Sequence, residues 1–327
     1  MRALIPVGGE ASRLRPHTLL HPRALLPVAG KPVLAHIVER LIEDGIQEIL
    51  FVVGPGAEQI ERFVRRHFSI QAQFVRQEEP LGLGHAVYVA RQWLSADQPF
   101  VIVLGDTIYD ADLKPVFEAP YTSIGIKEVE DPSHFGVAVI NERGFITRLV
   151  EKPQEPVSRL ALVGIYFIKN PALLFNCLAE VIEQKILVNN QYQLTDALQR
   201  MIEKGEPITA FNVEGWYDCD RPANLLRTNQ ILLQSLNWQP GDQIEESTIV
   251  PPVFIHPEAR VIRSVVGPNV SIGAGTVVER SIVQHSIVGQ KAHLQHALVE
   301  YSLIGDQVKL RGRLQRINLG DFSEWVG

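Results

Sequence analysis

Short apolar runs alternate with helix-like segments over the first two-thirds of the chain. The apolar runs, which have the length of buried strands, are residues 3–7, 48–53, 73–75 and 100–104. The segments with apolar side chains at helical spacing are residues 33–44, 58–67 and 84–94. Because short links join them, the alternation predicts an α/β fold with a mainly parallel sheet and helices on both faces. Ligands of such sheets bind beyond the carboxyl ends of the strands.

The first helical segment shows how specific these predictions are. Its apolar side chains Val33, Ile37, Leu41 and Ile42 are predicted to share one buried face. Gly45 is expected to end this helix, since glycine readily adopts the left-handed conformation found after helix C-termini.

The last quarter of the chain has a different pattern. Helical spacing stops after residues 225–236, and aliphatic side chains then recur in steps of six. The aliphatic positions in these steps are Ile255 and Val261; Val266, Ile272 and Val278; Ile282, Val288 and Leu294; and Leu298, Ile304 and Leu310. This hexapeptide repeat predicts a parallel β-helix in which each step buries one aliphatic residue. A small β-sandwich is the alternative. The predicted domains are residues 1–236 and 248–327, joined by a linker at 237–247.

Composition narrows the class of protein. Of the 327 residues, 46% are hydrophobic and 21% are charged, and the formal net charge is -6. The acidic balance argues against nucleic acid as a partner. No apolar run approaches membrane-spanning length, the first residues do not read as an export signal, and the two cysteines have no zinc spacing, so we expect a cytoplasmic protein without membrane contact. The basic run Lys309, Arg311, Arg313 and Arg316 is interpreted as a solvated face.

Candidate phosphate-binding residues follow the first predicted strand. Gly8 and Gly9 would let the backbone turn tightly and approach a phosphate. Arg13 and Arg23, from the same segment, would supply guanidinium groups to phosphate oxygens.

Three further constellations carry polar chemistry. Gly82 and Gly84 precede a predicted helix, so backbone N–H groups are free to face a ligand. Asp106 follows a buried strand, where a carboxylate suits Mg²⁺ or caps a turn. Glu151 and Lys152 could bind hydroxyl groups and a phosphate, although alone they would be interpreted as a solvated strand end.

Taken in chain order, these segments resemble the sugar-phosphate nucleotidylyltransferases, and most closely the long form of glucose-1-phosphate thymidylyltransferase with a C-terminal left-handed β-helix. The segments that carry the resemblance are residues 6–18, 22–28, 77–86, 103–106, 131–138, 151–153, 161–166, 215–218 and 319–321. The chain departs from the family pattern at four points. Ala11 stands for a glycine, Ser12 for a threonine, Arg23 for a lysine, and Cys219-Asp220 for a Thr-Gly pair.

The resemblance implies a Rossmann-like first domain and a role for each matching residue. Arg13 and Arg23 would be catalytic, and Asp106 and Asp218 would hold Mg²⁺. Nucleotide binding is implied for Gly8, Gly9, Gln77 and Gly82. Sugar-phosphate binding is implied for Gly136, Glu151, Lys152, Gly164 and Tyr166.

The implied reaction joins a nucleoside triphosphate to a sugar 1-phosphate and releases pyrophosphate, with dTTP and glucose 1-phosphate favoured. A UTP-using glucose-1-phosphate uridylyltransferase is one alternative, because it shares residues 82–86. A catalytically weak paralogue that binds nucleotide sugars is another, because Ala11 and Arg23 depart from the family. An acyltransferase is disfavoured for lack of a catalytic histidine paired with the β-helix. The family also implies a homo-oligomer.

Overall fold

The computed structural model describes residues 1–9, 11–155 and 157–312. They form two compact units. The first comprises Met1–Leu26 and Lys31–Leu225, and the second comprises Pro27–Gly30 together with the residues from Leu226 onward. The sequence-based division at residues 236–248 stays a prediction. Arg313, Arg316, residues 319–321 and the end of the predicted β-helix domain lie outside the described residues.

The secondary structure up to Gln234 contains thirteen strands and seven helices of the α type within the described residues. In chain order these are β1 (Arg2–Pro6), β2 (Pro27–Val28), β3 (Lys31–Pro32), α1 (Val33–Glu43), β4 (Glu48–Val53), α2 (Ala57–His67), β5 (Gln71–Arg76), α3 (Leu83–Ala90), β6 (Phe100–Val103), β7 (Thr107–Asp110), α4 (Lys114–Phe117), β8 (Thr122–Glu128), β9 (Gly136–Ile140), β10 (Ile146–Glu151), β11 (Leu160–Ile168), α5 (Pro171–Glu183), α6 (Leu194–Glu203), β12 (Ile208–Asn212), β13 (Gly215–Asp218) and α7 (Pro222–Gln234).

Nine strands of the first unit form one mixed sheet. Its main path runs β10-β9-β11-β6-β1-β4-β5, while β8 pairs with β11 and β12. Strands β6, β1, β4 and β5 are parallel to one another, as the alternating pattern predicted. Strand β11 instead runs antiparallel to β6, β8 and β9. The predicted α/β class is therefore confirmed, with the parallel pairing concentrated in the N-terminal half.

Helix α1 matches its sequence-based prediction closely. Val33, Ile37 and Leu41 are fully buried, and Gly45 follows the helix end with φ of 90°. Ile42 was predicted on the same face, which is wrong, because its side chain is 38% exposed. Consecutive helical residues are turned by about 100°, so the helix cannot bury Leu41 and Ile42 equally against one sheet. Among the described residues, no helix has both the length and the apolar character needed to cross a membrane.

Up to Gly312, where the described part of the second unit ends, thirteen short strands form three parallel sheets. The strands are β14 (Ile244–Glu245), β15 (Thr248–Ile249), β16 (Val253–Ile255), β17 (Arg260–Ile262), β18 (Val265–Val266), β19 (Val270–Ile272), β20 (Val277–Glu279), β21 (Ile282–Gln284), β22 (Ile287–Val288), β23 (His293–Gln295), β24 (Leu298–Glu300), β25 (Leu303–Ile304) and β26 (Lys309–Arg311). Each strand pairs with the third strand after it in the chain. The resulting sheets are β14-β17-β20-β23-β26, β15-β18-β21-β24 and β16-β19-β22-β25. This is the arrangement of a left-handed parallel β-helix, as predicted.

Two positions in the predicted aliphatic pattern face outward. Ile282 is 42% exposed and Leu298 is 78% exposed, whereas the adjacent Val283 and Val299 are buried. Equivalent positions on successive rungs are separated by 17 or 16 residues. Three steps of six residues would make a rung longer than the observed one. A strict step of six therefore reaches some positions that face outward. Because neighbouring strand residues point to opposite faces, the next residue fills the core instead.

A column of serines supports one corner of the β-helix. The Oγ of Ser264 accepts from the N–H of Ser281 at 3.1 Å, and the Oγ of Ser281 accepts from the N–H of Ala297 at 3.0 Å. Each hydroxyl also donates to a carbonyl on its own rung, at Ile262 for Ser264 and at Glu279 for Ser281. Serine therefore satisfies backbone groups that the corner leaves without strand partners.

Replacing Ser281 by alanine should leave the N–H of Ala297 without its acceptor inside the β-helix. We expect the free energy of unfolding of the second unit to fall by about 1–2 kcal/mol. Hydrogen exchange at the amide of Ala297 measures the effect locally. Ser302→Ala is the matched control. Its hydroxyl donates to its own rung, at Glu300, and accepts no backbone N–H from the residues that the structure describes. Equal protection of Ala297 in wild type and Ser281→Ala would contradict this account.

Candidate active site in the first unit

The loop after β1 begins with a close approach of two backbones. Val7 donates its N–H to Val52 O at 2.8 Å, which continues the pairing of β1 with β4. A Cβ on Gly8 would lie 3.0 Å from the nitrogen of Gly54, and one on Gly54 would lie 2.5 Å from Gly8 O. Side chains are therefore disfavoured at both positions. Gly8 is buried and Gly9 is exposed, and both line the cleft described below.

Ala11 adopts a conformation that suits glycine. Its φ is 46° and its ψ is 45°, in the left-handed region. Ala11 O accepts from the hydroxyl of Thr18 at 2.9 Å and from the N–H of Leu14 at 3.0 Å, so the surrounding turn holds it there. Alanine at this position therefore carries the backbone strain of a left-handed conformation, which the family's glycine would avoid.

A two-stranded ribbon, β7 paired with β13, positions the two carboxylates predicted to hold a metal. The strands are antiparallel, with Thr107 opposite Asp218. The N–H of Cys219 donates to Asp106 O at 3.0 Å, which closes the base of the ribbon. Asp106 and Asp218 are thus neighbours although they are far apart in sequence. No cage of three or more His, Cys, Asp or Glu side chains is formed within the described ranges.

Two arginines from the loop pair with carboxylates at the base of the ribbon. Arg23 Nη2 lies 2.8 Å from Asp106 Oδ2, and Arg13 Nη1 lies 2.7 Å from Asp220 Oδ2. Burial raises the pKa of Asp218 to about 7, and the charges of Asp106 and Asp220 add to this shift. Burial opposes ionisation of Asp220 as well, but hydrogen bonds from Arg13, Arg221 and Asn224 outweigh it, so the pKa of Asp220 is lowered.

The predicted base-binding loop lies between β5 and α3. Gln77 is nearly buried, and its Nε2 donates to Gly82 O at 3.1 Å and lies 3.0 Å from His85 Nδ1. Gly82 has φ of 105°, and a Cβ there would lie 2.6 Å from Tyr192 O. The structure therefore brings Gln77 and Gly82 together, with His85 as a further neighbour to which the sequence analysis assigned no role.

The predicted acceptor residues centre on the start of β9 and the end of β10. Gly136 pairs with Glu151, and a Cβ on Gly136 would lie 2.9 Å from Glu151 Oε2. Thr195 donates its hydroxyl to Glu151 Oε2 at 2.7 Å. Lys152 follows with φ of 45°, and its Nζ lies 3.7 Å from Glu151 Oε1. These contacts fix the Glu151 carboxylate beside Gly136, which has no side chain to collide with it.

Gly164 and Tyr166 lie on β11 where its pairing with β8 shifts register. Gly164 has φ of 86°, and a Cβ there would lie 2.7 Å from Leu104 Cδ1, so glycine permits the irregularity. Tyr166 is buried in the hydrophobic core. Burial raises the pKa of its hydroxyl, and the charges of Glu151 and Asp106 add to the effect. Their predicted contact with the sugar phosphate stays a prediction.

A cleft of about 630 Å³ joins most of the predicted site. Its lining includes eight residues that the sequence singled out for the site: Gly8, Gly9, Arg13, Arg23, Gln77, Gly82, Asp106 and Lys152. The predicted residues that are absent from its lining are Gly136, Glu151, Gly164, Tyr166 and Asp218. Two lining residues, Gln191 and Asp220, were not assigned a role from the sequence. The departure of Asp220 from the family's glycine was a signal that could have found it.

Several known proteins are similar to this chain. Residues 2–235 match the family model described as nucleotidyl transferase. The chain is similar to a glucose-1-phosphate thymidylyltransferase from Streptomyces antibioticus, with 35% identity over 86% of this chain and 81% of that protein. It is also similar to the low-salt glycan biosynthesis nucleotidyltransferase Agl11 of Haloferax volcanii, with 36% identity over 76% of this chain and 71% of that protein.

Two further matches differ in how much of the relative they cover. The bifunctional protein GlmU of Methanocaldococcus jannaschii is 35% identical over 76% of this chain, which spans 59% of that protein. A crystal structure of UDP-glucose pyrophosphorylase complexed with UDP-glucose superposes with a TM-score of 0.65 at 26% identity. That match covers 72% of this chain and 99% of the other.

Ala11→Gly should relieve the left-handed backbone of the loop. The strain relieved is about 1 kcal/mol or slightly more, and the greater freedom of glycine in the unfolded chain offsets part of it. We therefore expect the free energy of unfolding to rise by about 0.5 kcal/mol, measured as the urea-denaturation midpoint. Ala24→Gly is the matched control, because Ala24 lies in a helical turn and glycine should destabilise it. A lower midpoint for Ala11→Gly would show that the surrounding turn prefers alanine.

Proposed function

The chain belongs to the nucleotidyl transferase family and is a sugar-1-phosphate nucleotidyltransferase, and from this premise we propose that it transfers a thymidylyl group from dTTP to glucose 1-phosphate. The observation that carries the proposal is one cleft. Its lining includes the glycine loop after β1, two arginines, residues of the predicted base-binding loop, and Lys152. The thymidylyltransferases of Streptomyces antibioticus and Streptomyces griseus support it, because their similarity extends over 86% and 88% of this chain.

Gln77 and Gly82 suit recognition of a pyrimidine. A side-chain amide and a backbone can together meet the donor and acceptor edge shared by thymine and uracil. These two residues alone do not separate the bases, which differ by one methyl group. Pro80, Leu83 and Ala86 add apolar surface to the same part of the cleft. Burying the methyl group there is worth about 0.8 kcal/mol, or about fourfold in favour of dTTP.

Asp106 and Asp218 suit a divalent cation, which members of this family generally use, and we propose Mg²⁺. Carboxylate oxygens are the ligands that Mg²⁺ prefers. Burial raises the pKa of Asp218, and the charges of Asp106 and Asp220 add to the shift, so a bound cation would favour its ionised form. When bound, Mg²⁺ would neutralise phosphate charge and help to orient the triphosphate.

The residues of the chain would then mainly position and neutralise the reactants. In the reaction, an oxygen of the sugar 1-phosphate attacks the α-phosphorus and the bond to pyrophosphate breaks. The N–H groups of Gly8 and Gly9, with the guanidinium groups of Arg13 and Arg23, would bind the triphosphate. Lys152 would pair with the sugar phosphate, and Glu151 would accept hydrogen bonds from sugar hydroxyls. We keep the homo-oligomer as an expectation from the family.

A matrix of triphosphates and sugar 1-phosphates tests the substrate assignment. Pyrophosphate release would be measured with dTTP, UTP, ATP, CTP and GTP against glucose 1-phosphate, galactose 1-phosphate and N-acetylglucosamine 1-phosphate. We expect the highest kcat/KM with dTTP and glucose 1-phosphate, and about fourfold less with UTP. A preference for UTP would favour the uridylyltransferase alternative, and turnover only with another sugar would overturn the assignment of the acceptor.

Asp106→Asn and Asp218→Asn should each lower kcat by about a hundredfold or more, because each removes a charged oxygen ligand from the cation. The measurement is pyrophosphate release over a titration of Mg²⁺. Asp110→Asn is the control, since this exposed residue lies at the far end of the same ribbon. Activity near that of the wild type in both variants would place the metal elsewhere.

A further inference from the structure

Asp220 contacts Arg13, a residue proposed to bind the triphosphate. Asp220 Oδ2 accepts from Arg13 Nη1 at 2.7 Å, and both residues line the cleft. Asp220 is not expected from the family pattern, in which a glycine stands at this point. Its carboxylate therefore adds a contact that the family pattern alone would not provide.

The Asp220 carboxylate is fixed independently of Arg13. Its Oδ1 accepts from Asn224 Nδ2 at 2.8 Å, and its Oδ2 lies 3.3 Å from Arg221 Nε. Its side chain is only 13% exposed. Because two donors other than Arg13 hold a largely buried carboxylate, Asp220 is a rigid anchor just before α7.

Arg13, by contrast, has a side chain that is 61% exposed. An exposed arginine samples many rotamers, and ordering it on a ligand costs conformational entropy. The hydrogen bond to Asp220 occupies one of its five N–H donors. Arg13 can therefore be held at the cleft by Asp220 and still present donors to phosphate oxygens.

We propose that Asp220 is a positioning residue for the triphosphate, which it serves by holding Arg13 ordered at the cleft before the nucleotide enters. This inference rests on the proposed function, because it assigns Arg13 to the triphosphate. The opposite role is that Asp220 competes with the triphosphate for Arg13. The two roles predict opposite changes in nucleotide affinity when Asp220 loses its charge.

The test uses the full chain and measures binding of dTTP and UTP by calorimetry, with steady-state kinetics alongside. We expect Asp220→Asn to weaken triphosphate binding and raise its KM by about tenfold. The KM for the sugar 1-phosphate and kcat should change by less than about twofold, because Asp220 acts through Arg13. Asp220→Glu keeps the charge and should recover part of the loss. Asp97→Asn removes an exposed carboxylate elsewhere in the unit and controls for net charge.

A double-mutant cycle separates positioning from a general structural role. In an Arg13→Ala background, Asp220→Asn should cause little further loss of triphosphate affinity, since the two changes remove one interaction. Tighter binding by Asp220→Asn would support competition and overturn the proposal. An equal loss in both backgrounds, or parallel losses in both KM values and kcat, would also overturn it. Failure of the wild-type chain to bind any triphosphate would instead refute the proposed function.

Discussion

The site depends on the pairing of β7 with β13, which holds carboxylates from distant parts of the chain at one edge of the sheet. Thr107 lies opposite Asp218, and the backbone bond from Cys219 to Asp106 fixes the base of this ribbon. Burial raises the pKa of Asp218, and the neighbouring negative charges of Asp106 and Asp220 raise it further, so ionising all three carboxylates together is unfavourable. Arg13 and Arg23 offset part of that cost from the facing loop. The charges around the cleft are therefore paired with one another. A metal ion could take over the carboxylates and phosphates could take over the arginines, without leaving a buried charge unpaired.

Backbone geometry at the carboxyl ends of β1 and β4 allows phosphate to approach this group. Gly8 and Gly54 pass so closely that neither position accepts a side chain. Glycine is not required at every position of the loop, because Ala11 adopts the left-handed conformation with a methyl side chain. The same loop carries Arg13 and Arg23, which pair with Asp220 and Asp106 at the base of the ribbon. One loop after β1 thus supplies both the backbone proposed to bind phosphate and the two arginines. It is joined to the sheet through β1 and to the ribbon through the arginine–carboxylate pairs.

Much of this arrangement could be predicted from the sequence because it depends on local patterns. The parallel strands, helix α1 with its stop at Gly45, and the three-sided β-helix follow from hydrophobic spacing and turn residues. The errors arose where tertiary packing decides between neighbouring residues: Ile42 beside Leu41, and Ile282 and Leu298 beside the valines that fill the core. The antiparallel half of the sheet and the ion pair between Arg13 and Asp220 depend on contacts between remote segments. No local pattern encodes such contacts, although the unusual Asp220 marked where one would occur.

The central claim is that one cleft binds the nucleotide and its metal ion. Its lining includes Gly8, Gly9, Arg13, Gln77, Asp106 and Lys152. A crystal structure of the full chain with Mg²⁺ and a nucleotide sugar tests this directly. The account predicts the base beside Gln77 and Gly82, the phosphates along the loop that carries Arg13, and a metal ion bound by Asp106 and Asp218. A nucleotide bound outside this cleft, or a metal ion that contacts neither carboxylate, would contradict it.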